Sequence, residues 1–177
     1  MCIRDRTEAA FENGWFKTGD LATIDQDGFV RITGRAKDII VTAGGKNVAP
    51  SVLEDPLRQY ALINEVLVVG EGMPFVSALI TLDTDMLPTW LKNHGMPTMD
   101  ALTASKDPQV LQAISRAVER VNARVSRAES IRKFKVLPTA FTVENGLLTP
   151  SMKVKRKEAA AAFAAEIEEL YADKLVK

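Results

Sequence analysis

The stretch from Gly14 to Gly34 most restricts what this chain can fold into. It reads GWFKTGDLATIDQDGFVRITG, and two alternating apolar runs, Leu21 to Ile24 and Phe29 to Ile32, flank the turn formers Asp25-Gln26-Asp27-Gly28. That pattern predicts a β-hairpin. A two-stranded hairpin is marginal in water by itself, so it must join a larger sheet or pack on another body. The rest of the chain offers it no obvious partner. With 177 residues there is room for one medium domain, or for a compact domain and a piece of another, and not for two full-sized ones.

After Gly34 the text changes. The polar stretch Gly34-Arg35-Ala36-Lys37-Asp38 reads as a boundary, followed by a strand from Ile39 to Thr42, the loop Gly44-Gly45-Lys46-Asn47 and a helix ending near Tyr60. Ser51 and Glu54 fit a capping box, while Asp55-Pro56 offers a rival helix start. Glu65 to Gly70 and Phe75 to Leu82, rich in Val, Ile and Leu and split by Glu71-Gly72-Met73-Pro74, predict paired buried strands. Thr84 or Asp85 caps a short helix towards Asn93. Asp107-Pro108 opens a longer one whose apolar positions Val110, Ile114, Val118, Val121 and Val125 step by three and four. Lys133 to Pro138 reads as a short strand, Phe141 to Leu148 as a hairpin turning at Glu144-Asn145-Gly146, and Lys157 to Val176 as one Ala-rich amphipathic helix. The sum is an α+β domain, a small central sheet covered by helices, preceded by the hairpin. Met1 to Arg6 are charged and patternless and carry no fold signal.

Composition closes several routes to function. Lys plus Arg and Asp plus Glu balance at 23 each, so no net positive field draws in nucleic acid, and anion recognition must be local. Cys2 is the one cysteine and cannot form an internal disulfide; no apolar run reaches membrane-spanning length, which points to a cytoplasmic protein. His94 is the one histidine and has no Ser or Cys partner in a recognisable arrangement, so it reads as a surface or helix-end residue, and no Cys/His metal cluster can form. AGGKN is not a phosphate-binding P-loop: Ile40 stands where its first glycine belongs, and Asn47 replaces the Ser or Thr that would meet magnesium.

Three segments remain. Thr18-Gly19-Asp20 places a carboxylate at the entry of a strand, suited to holding a pair of sugar hydroxyls, though such a triplet is also a common turn. Gly34-Arg35-Ala36-Lys37-Asp38 and Gly44-Gly45-Lys46-Asn47 put cations and backbone N–H donors on either side of one strand; a charged linker and a tight turn would look the same. Leu148-Thr149-Pro150-Ser151-Met152-Lys153-Val154-Lys155-Arg156 presents lysines just ahead of a helix, as a solvated basic turn also would.

In combination and in order, GWFKTGDLATIDQDGFVRITGRAKDIIVTAGGKNVAPSVLE, RKFKVLP and ENGLLTPSMKVKR resemble the carboxyl-terminal part of an adenylate-forming enzyme, most closely a bacterial long-chain fatty-acid-CoA ligase. The resemblance runs from Gly14 to about Tyr171. It implies residues 1–36 as the end of a large AMP-binding domain and 37–177 as a carboxyl-terminal lid. Asp20 would bind the ribose hydroxyls of ATP or AMP, and Arg35 would add a cationic contact. Lys37 would be the hinge between two half-reactions. Gly44, Gly45, Lys46 and Asn47 would face coenzyme A, and Lys153 would be the catalytic lysine. The substrates would be a fatty acid, ATP and coenzyme A, with the magnesium site in the large domain and no metal held by this chain.

If the lysine segment is extended, Lys155 shares a face with Lys153 and is its main rival. The family commonly has glycine where Met152 stands, and the long-chain subgroup tolerates an apolar residue there. The phosphate loop, acyl tunnel and magnesium glutamate of such enzymes have no counterpart in this chain. The expectation is therefore a truncated ligase that is inactive without its large domain, with peripheral membrane association left open for a full-length enzyme. Two alternatives stay open: the lid of another acid-activating enzyme, such as an aryl-acid ligase or a peptide-synthetase adenylation domain, and a noncatalytic binding module.

Overall fold

The computed structural model describes residues 7, 8 and 10–175; Cys2, the rest of Met1 to Arg6, and Val176 lie outside the described residues. Two hairpins come first. The short strands β1 (Phe11–Glu12) and β2 (Trp15–Phe16) pair with each other, then β3 (Asp20–Ile24) pairs antiparallel with β4 (Val30–Arg35). The second is the hairpin the sequence predicts. Its turn is fastened by Asp25, whose Oδ1 accepts from the backbone N–H groups of Asp27 at 3.1 Å and Phe29 at 2.9 Å. The apolar side chains of both hairpins remain uncovered: Trp15 of the first is 81% exposed, and Phe29 and Ile32 of the second are 72% and 68% exposed.

A single helical turn at Ala36–Asp38 leads into β5 (Ile40–Val41), which pairs with β6 (Asn47–Val48). The expected loop is thus the tip of a third small hairpin, with Asn47 in its second strand. Helix α1 (Ser51–Arg58) follows and keeps Pro56 in its interior, at the loss of the hydrogen bond that Val52 would accept. Asp55-Pro56 is therefore not the helix start. Nor does the capping box form: the Ser51 hydroxyl donates to the Thr33 carbonyl at 3.0 Å, and Glu54 turns inward.

The core sheet has the order β7 (Ile63–Val69), β8 (Val76–Leu82), β9 (Ile131–Leu137). β7 and β8 are antiparallel, β8 and β9 parallel. The parallel pair needs a crossover, supplied by α2 (Leu87–Asn93), α3 (Ala101–Ala104) and α4 (Pro108–Asn122). Every residue of the central strand β8 is buried, as its run of apolar residues implies. Successive residues serve opposite faces: Val66, Val68, Ala78 and Ile80 pack with α1, α2 and α4, while Leu67 and Leu79 pack with Phe141, Leu148, Leu170 and Tyr171.

Local signals fix several boundaries. Asp107 caps α4 by accepting from Gln109 and Val110, with Pro108 in the first turn. Asp83, rather than Thr84 or Asp85, serves α2, accepting from the N–H groups of Asp85 and Met86. Asn122 exchanges two bonds with the backbone of Ile131, at 2.8 and 2.9 Å, and so starts β9 two residues earlier than its sequence suggests.

The carboxyl-terminal third departs furthest from expectation. Phe141 to Leu148 is no hairpin: Asn145 binds Thr142 and the Ala140 carbonyl, making a compact local turn, and the bridge that does form joins Leu148 to Val154. The Ala-rich segment is two helices, α5 (Arg156–Ala162) and α6 (Ala164–Leu175). They are separated at Phe163, whose backbone leaves the helical region while its ring lies 5.7 Å from that of Phe141.

Gly70, between β7 and β8, is the tightest glycine. Its φ is +155°, and a Cβ there would stand 2.9 Å from Val76 Cγ1 and 3.1 Å from the Phe75 carbonyl oxygen. Gly70→Ala is expected to destabilise the chain by about 1–3 kcal/mol in urea unfolding. Gly44→Ala, where added bulk meets nothing within 4 Å, should stay within about 0.5 kcal/mol.

Candidate functional site

The hairpin register sets the first element of the site. Asp20 and Arg35 are cross-strand partners at the open end of β3 and β4, and Arg35 Nε donates to Asp20 Oδ1 at 3.2 Å. The Thr18 hydroxyl accepts from the Asp20 N–H at 3.1 Å, so the triplet Thr18-Gly19-Asp20 is a turn that steadies the carboxylate at the strand entry. A cleft of about 250 Å³ opens beside them, lined also by Asp38, Ser51, Glu54 and Arg156.

Lys153 belongs to a second, more polar cleft of about 460 Å³, which it shares with Arg35, Asp38, Arg58, Glu65 and Arg156. The turn that carries it is closed at both ends. The Thr149 N–H donates to the Lys153 carbonyl at 2.8 Å, the Lys153 N–H to the Thr149 hydroxyl at 3.1 Å, and the Lys155 N–H to the Leu147 carbonyl at 2.8 Å. Met152 takes φ +58° in this turn. That is the left-handed region, which favours glycine over side chains with a Cβ, and it gives the physical reason why glycine suits the position. Lys155 lies half-buried at the start of α5 and lines neither cleft.

The cations around Lys153 are already engaged. Arg35 meets Asp20. Arg58 meets Asp55 at 2.6 Å, Glu65 at 2.9 Å and Glu54 at 3.5 Å. Arg156 Nη1 donates to Glu54 Oε1 at 2.7 Å, and its Nη2 donates to the Val68 carbonyl at 2.6 Å. Among the described residues, Lys153 is the one cation lining that cleft with no carboxylate within 4.0 Å.

The other expected site residues lie elsewhere. Lys37, in the turn before β5, lines a third and mainly apolar cleft of about 410 Å³, with Leu67, Val69, Met73, Ile167 and Tyr171. Gly44 and Gly45 form the exposed tip of the β5–β6 hairpin, and Lys46 is held 3.2 Å from Glu129. The Glu129 carboxyl is kept below its ordinary value chiefly by the hydrogen bond from Ser126, with Lys46 adding to it. Gly44 to Asn47 line none of the three clefts above. The structure thus brings Arg35 together with Asp20 on one side and Lys153 on the other, and it sets the glycine tip apart.

Sequence reasoning missed Glu54 and Arg156. Arg156 and Asp38 line all three clefts. No local pattern marks Arg156, since its partners are 102 and 88 residues away. Among the described residues no three His, Cys, Asp or Glu side chains are grouped to hold a metal ion. Among them also, no helix is long and apolar enough to cross a membrane.

Residues 37–175 match the AMP-binding enzyme C-terminal domain family. The chain is 53% identical over 167 residues to the long-chain-fatty-acid–CoA ligase FadD15 of Mycobacterium tuberculosis, an alignment covering 93% of this chain and 28% of that protein. It is 37% identical over 184 residues to the chicken long-chain-fatty-acid–CoA ligase ACSBG2, covering 94% of this chain and 24% of the relative. The chain therefore spans about a quarter of the length of these relatives. The adenylation domain of a carboxylate reductase from Mycobacterium chelonae shares the fold, with a TM-score of 0.74 at 24% identity over 96% of this chain and 25% of that one.

Glu65 lines the Lys153 cleft beside Arg58. Burial pushes its carboxyl above the ordinary 4.5, and Arg58 offsets the rise only in part. A carboxyl whose folded pKa is raised favours the native state below its unfolded value and loses that contribution as pH rises through the folded one. Stability of the unmodified chain should therefore fall relative to Glu65→Gln as pH is raised from about 4.5 upward. Urea titrations of both proteins at several pH values check the sign; a gap that is constant with pH would refute it.

Proposed function

Because the chain belongs to the AMP-binding enzyme C-terminal domain family, we propose that it is the catalytic lid of a long-chain fatty-acid–CoA ligase, acting on a large amino-terminal domain. The observation that carries this reading is Lys153, a cation without a carboxylate partner in a cleft shared with Arg35, whose own partner is Asp20. In the first half-reaction the fatty-acid carboxylate attacks the α-phosphorus of ATP and pyrophosphate leaves, giving an acyl-adenylate. Negative charge grows on the phosphoryl oxygens, and an ammonium fixed in a site closed to water stabilises it without reorganising. Lys153 supplies that ammonium. Asp20 would offer Oδ2 to the ribose hydroxyls while Oδ1 accepts from Arg35 Nε, which would leave the outer nitrogens of Arg35 for the nucleotide.

In the second half-reaction the coenzyme A thiol attacks the acyl carbonyl, and AMP leaves. The separation of the β5–β6 tip from the Lys153 cleft supports a lid with two working faces, one for each step, exchanged by rotation about Lys37. Lys46 would trade Glu129 for a phosphate of coenzyme A in the second state. The uncovered apolar side chains of β2, β3 and β4 support a boundary near residue 36, with the hairpins as the edge of the large domain.

The test is complementation. The chain is mixed with the amino-terminal domain of a close relative, and acid-dependent exchange of pyrophosphate into ATP is measured. Exchange should appear with both parts, be absent with this chain by itself, and fall by about 10²–10³ on Lys153→Ala. Lys155→Ala should leave it largely intact. Thioester formation from a preformed acyl-adenylate should survive Lys153→Ala and fail when Gly45 is made bulky. Exchange unchanged by Lys153→Ala would refute the assignment, and binding of AMP without any exchange would mark a noncatalytic module.

A further inference from the structure

The Lys153 turn is short and exposed, yet its action would require a fixed reach. What fixes it is not in the turn. Three residues on, Arg156 opens α5 and sends its guanidinium inward to two points of the core: Glu54 Oε1 on α1 at 2.7 Å and the Val68 carbonyl on β7 at 2.6 Å. Glu54 is 6% exposed and accepts at the same time from the Val68 N–H at 2.8 Å. One carboxylate, one guanidinium and the backbone N–H and C=O of one residue, Val68, therefore close a ring of three hydrogen bonds. Upstream, the turn is tied by the Leu148–Val154 bridge and by the Lys155 N–H to the Leu147 carbonyl.

We infer that Arg156, held by Glu54 and Val68, is the positioning residue for Lys153, setting the distance and direction in which the lysine meets the reacting phosphate. This rests on the proposed role of Lys153. The role inferred is positioning rather than contact with the reacting atoms, because both terminal nitrogens of Arg156 donate to groups inside the domain. Arginine is required for geometric reasons: a planar fork reaches a carboxylate and a carbonyl together, and an ammonium is a single point. Displacing a catalytic group by about 1 Å can cost ~10²-fold in rate without weakening substrate binding.

The experiment uses the chain complemented with the amino-terminal domain as above. It compares Arg156→Ala, Arg156→Lys and Glu54→Gln, each by itself and combined with Lys153→Ala. A positioning role predicts that Arg156→Ala lowers kcat for adenylation by about 10²-fold with KM for ATP within about 2-fold, and that it adds nothing in the Lys153→Ala background. Arg156→Lys and Glu54→Gln should fall between it and the unmodified chain. In parallel, hydrogen exchange on the chain itself should quicken at the amides of 149–155 and stay unchanged at Leu79 and Ile80 of β8. If Arg156→Ala does not fold, the two conservative variants carry the same readouts. A loss that multiplies that of Lys153→Ala, or unchanged exchange at 149–155, overturns the proposal. Full activity of Lys153→Ala overturns the reading of Lys153 and the proposal with it, an outcome told apart by the single variant.

Discussion

The bond between Glu54 and Arg156 is the contact on which the arrangement of this domain depends. A carboxylate that is 6% exposed would be costly without a partner, and Glu54 has three: the Val68 N–H, Arg156 and, more loosely, Arg58. Breaking a buried pair by removing one side generally costs about 3–5 kcal/mol, because the other charge stays buried and uncompensated. Here the pair joins α1 to the start of α5 beside β7, and α1 is further tied to β7 by Arg58–Glu65 at 2.9 Å. Apolar contact holds surfaces together but tolerates sliding. Directional bonds to a guanidinium fork do not, so the ring sets α5 in register against the sheet, and the turn before α5 follows.

Much of the fold was legible in the sequence where the signal is local. Two apolar runs either side of Glu71-Gly72-Met73-Pro74 became β7 and β8, and Asp107-Pro108 with its three-and-four spacing became α4. The turn at Asp25 to Gly28 made its hairpin. Failures came where a residue had a distant competitor for its side chain. Ser51 and Glu54 look like a cap, but each finds a better partner from another element. The Ala-rich tail contains no breaker; its interruption at Phe163 is accompanied by a ring contact with Phe141, twenty-two positions away. Asn145 reads as a hairpin turn residue and instead uses its amide to bind the loop to itself.

The candidate site divides the same way. Asp20 and Arg35 could be named from their motif, and the structure adds that they are cross-strand partners. Lys153 and Lys155 were inseparable by spacing; the turn separates them, placing Lys153 in the cleft with Arg35 and drawing Lys155 back to the root of a helix. Met152 shows how a sequence departure becomes physical. A left-handed backbone is retained although the residue is not glycine, which means that the closed turn, rather than the residue type, imposes the conformation.

The open hairpins carry a consequence for handling the molecule. Aromatic and β-branched side chains of β2, β3 and β4 face water beside strand edges that pair with no further strand among the described residues, the combination from which edge-to-edge association starts. The chain has no net charge near neutrality to oppose it, with a pI near 6.6. In solution its colloidal behaviour is therefore governed by its first thirty-odd residues, whereas its thermodynamic stability resides in the sheet that follows; a preparation can be well folded and still cloud on concentration, and clearing it is a matter of pH and of covering β3 and β4 rather than of strengthening the core.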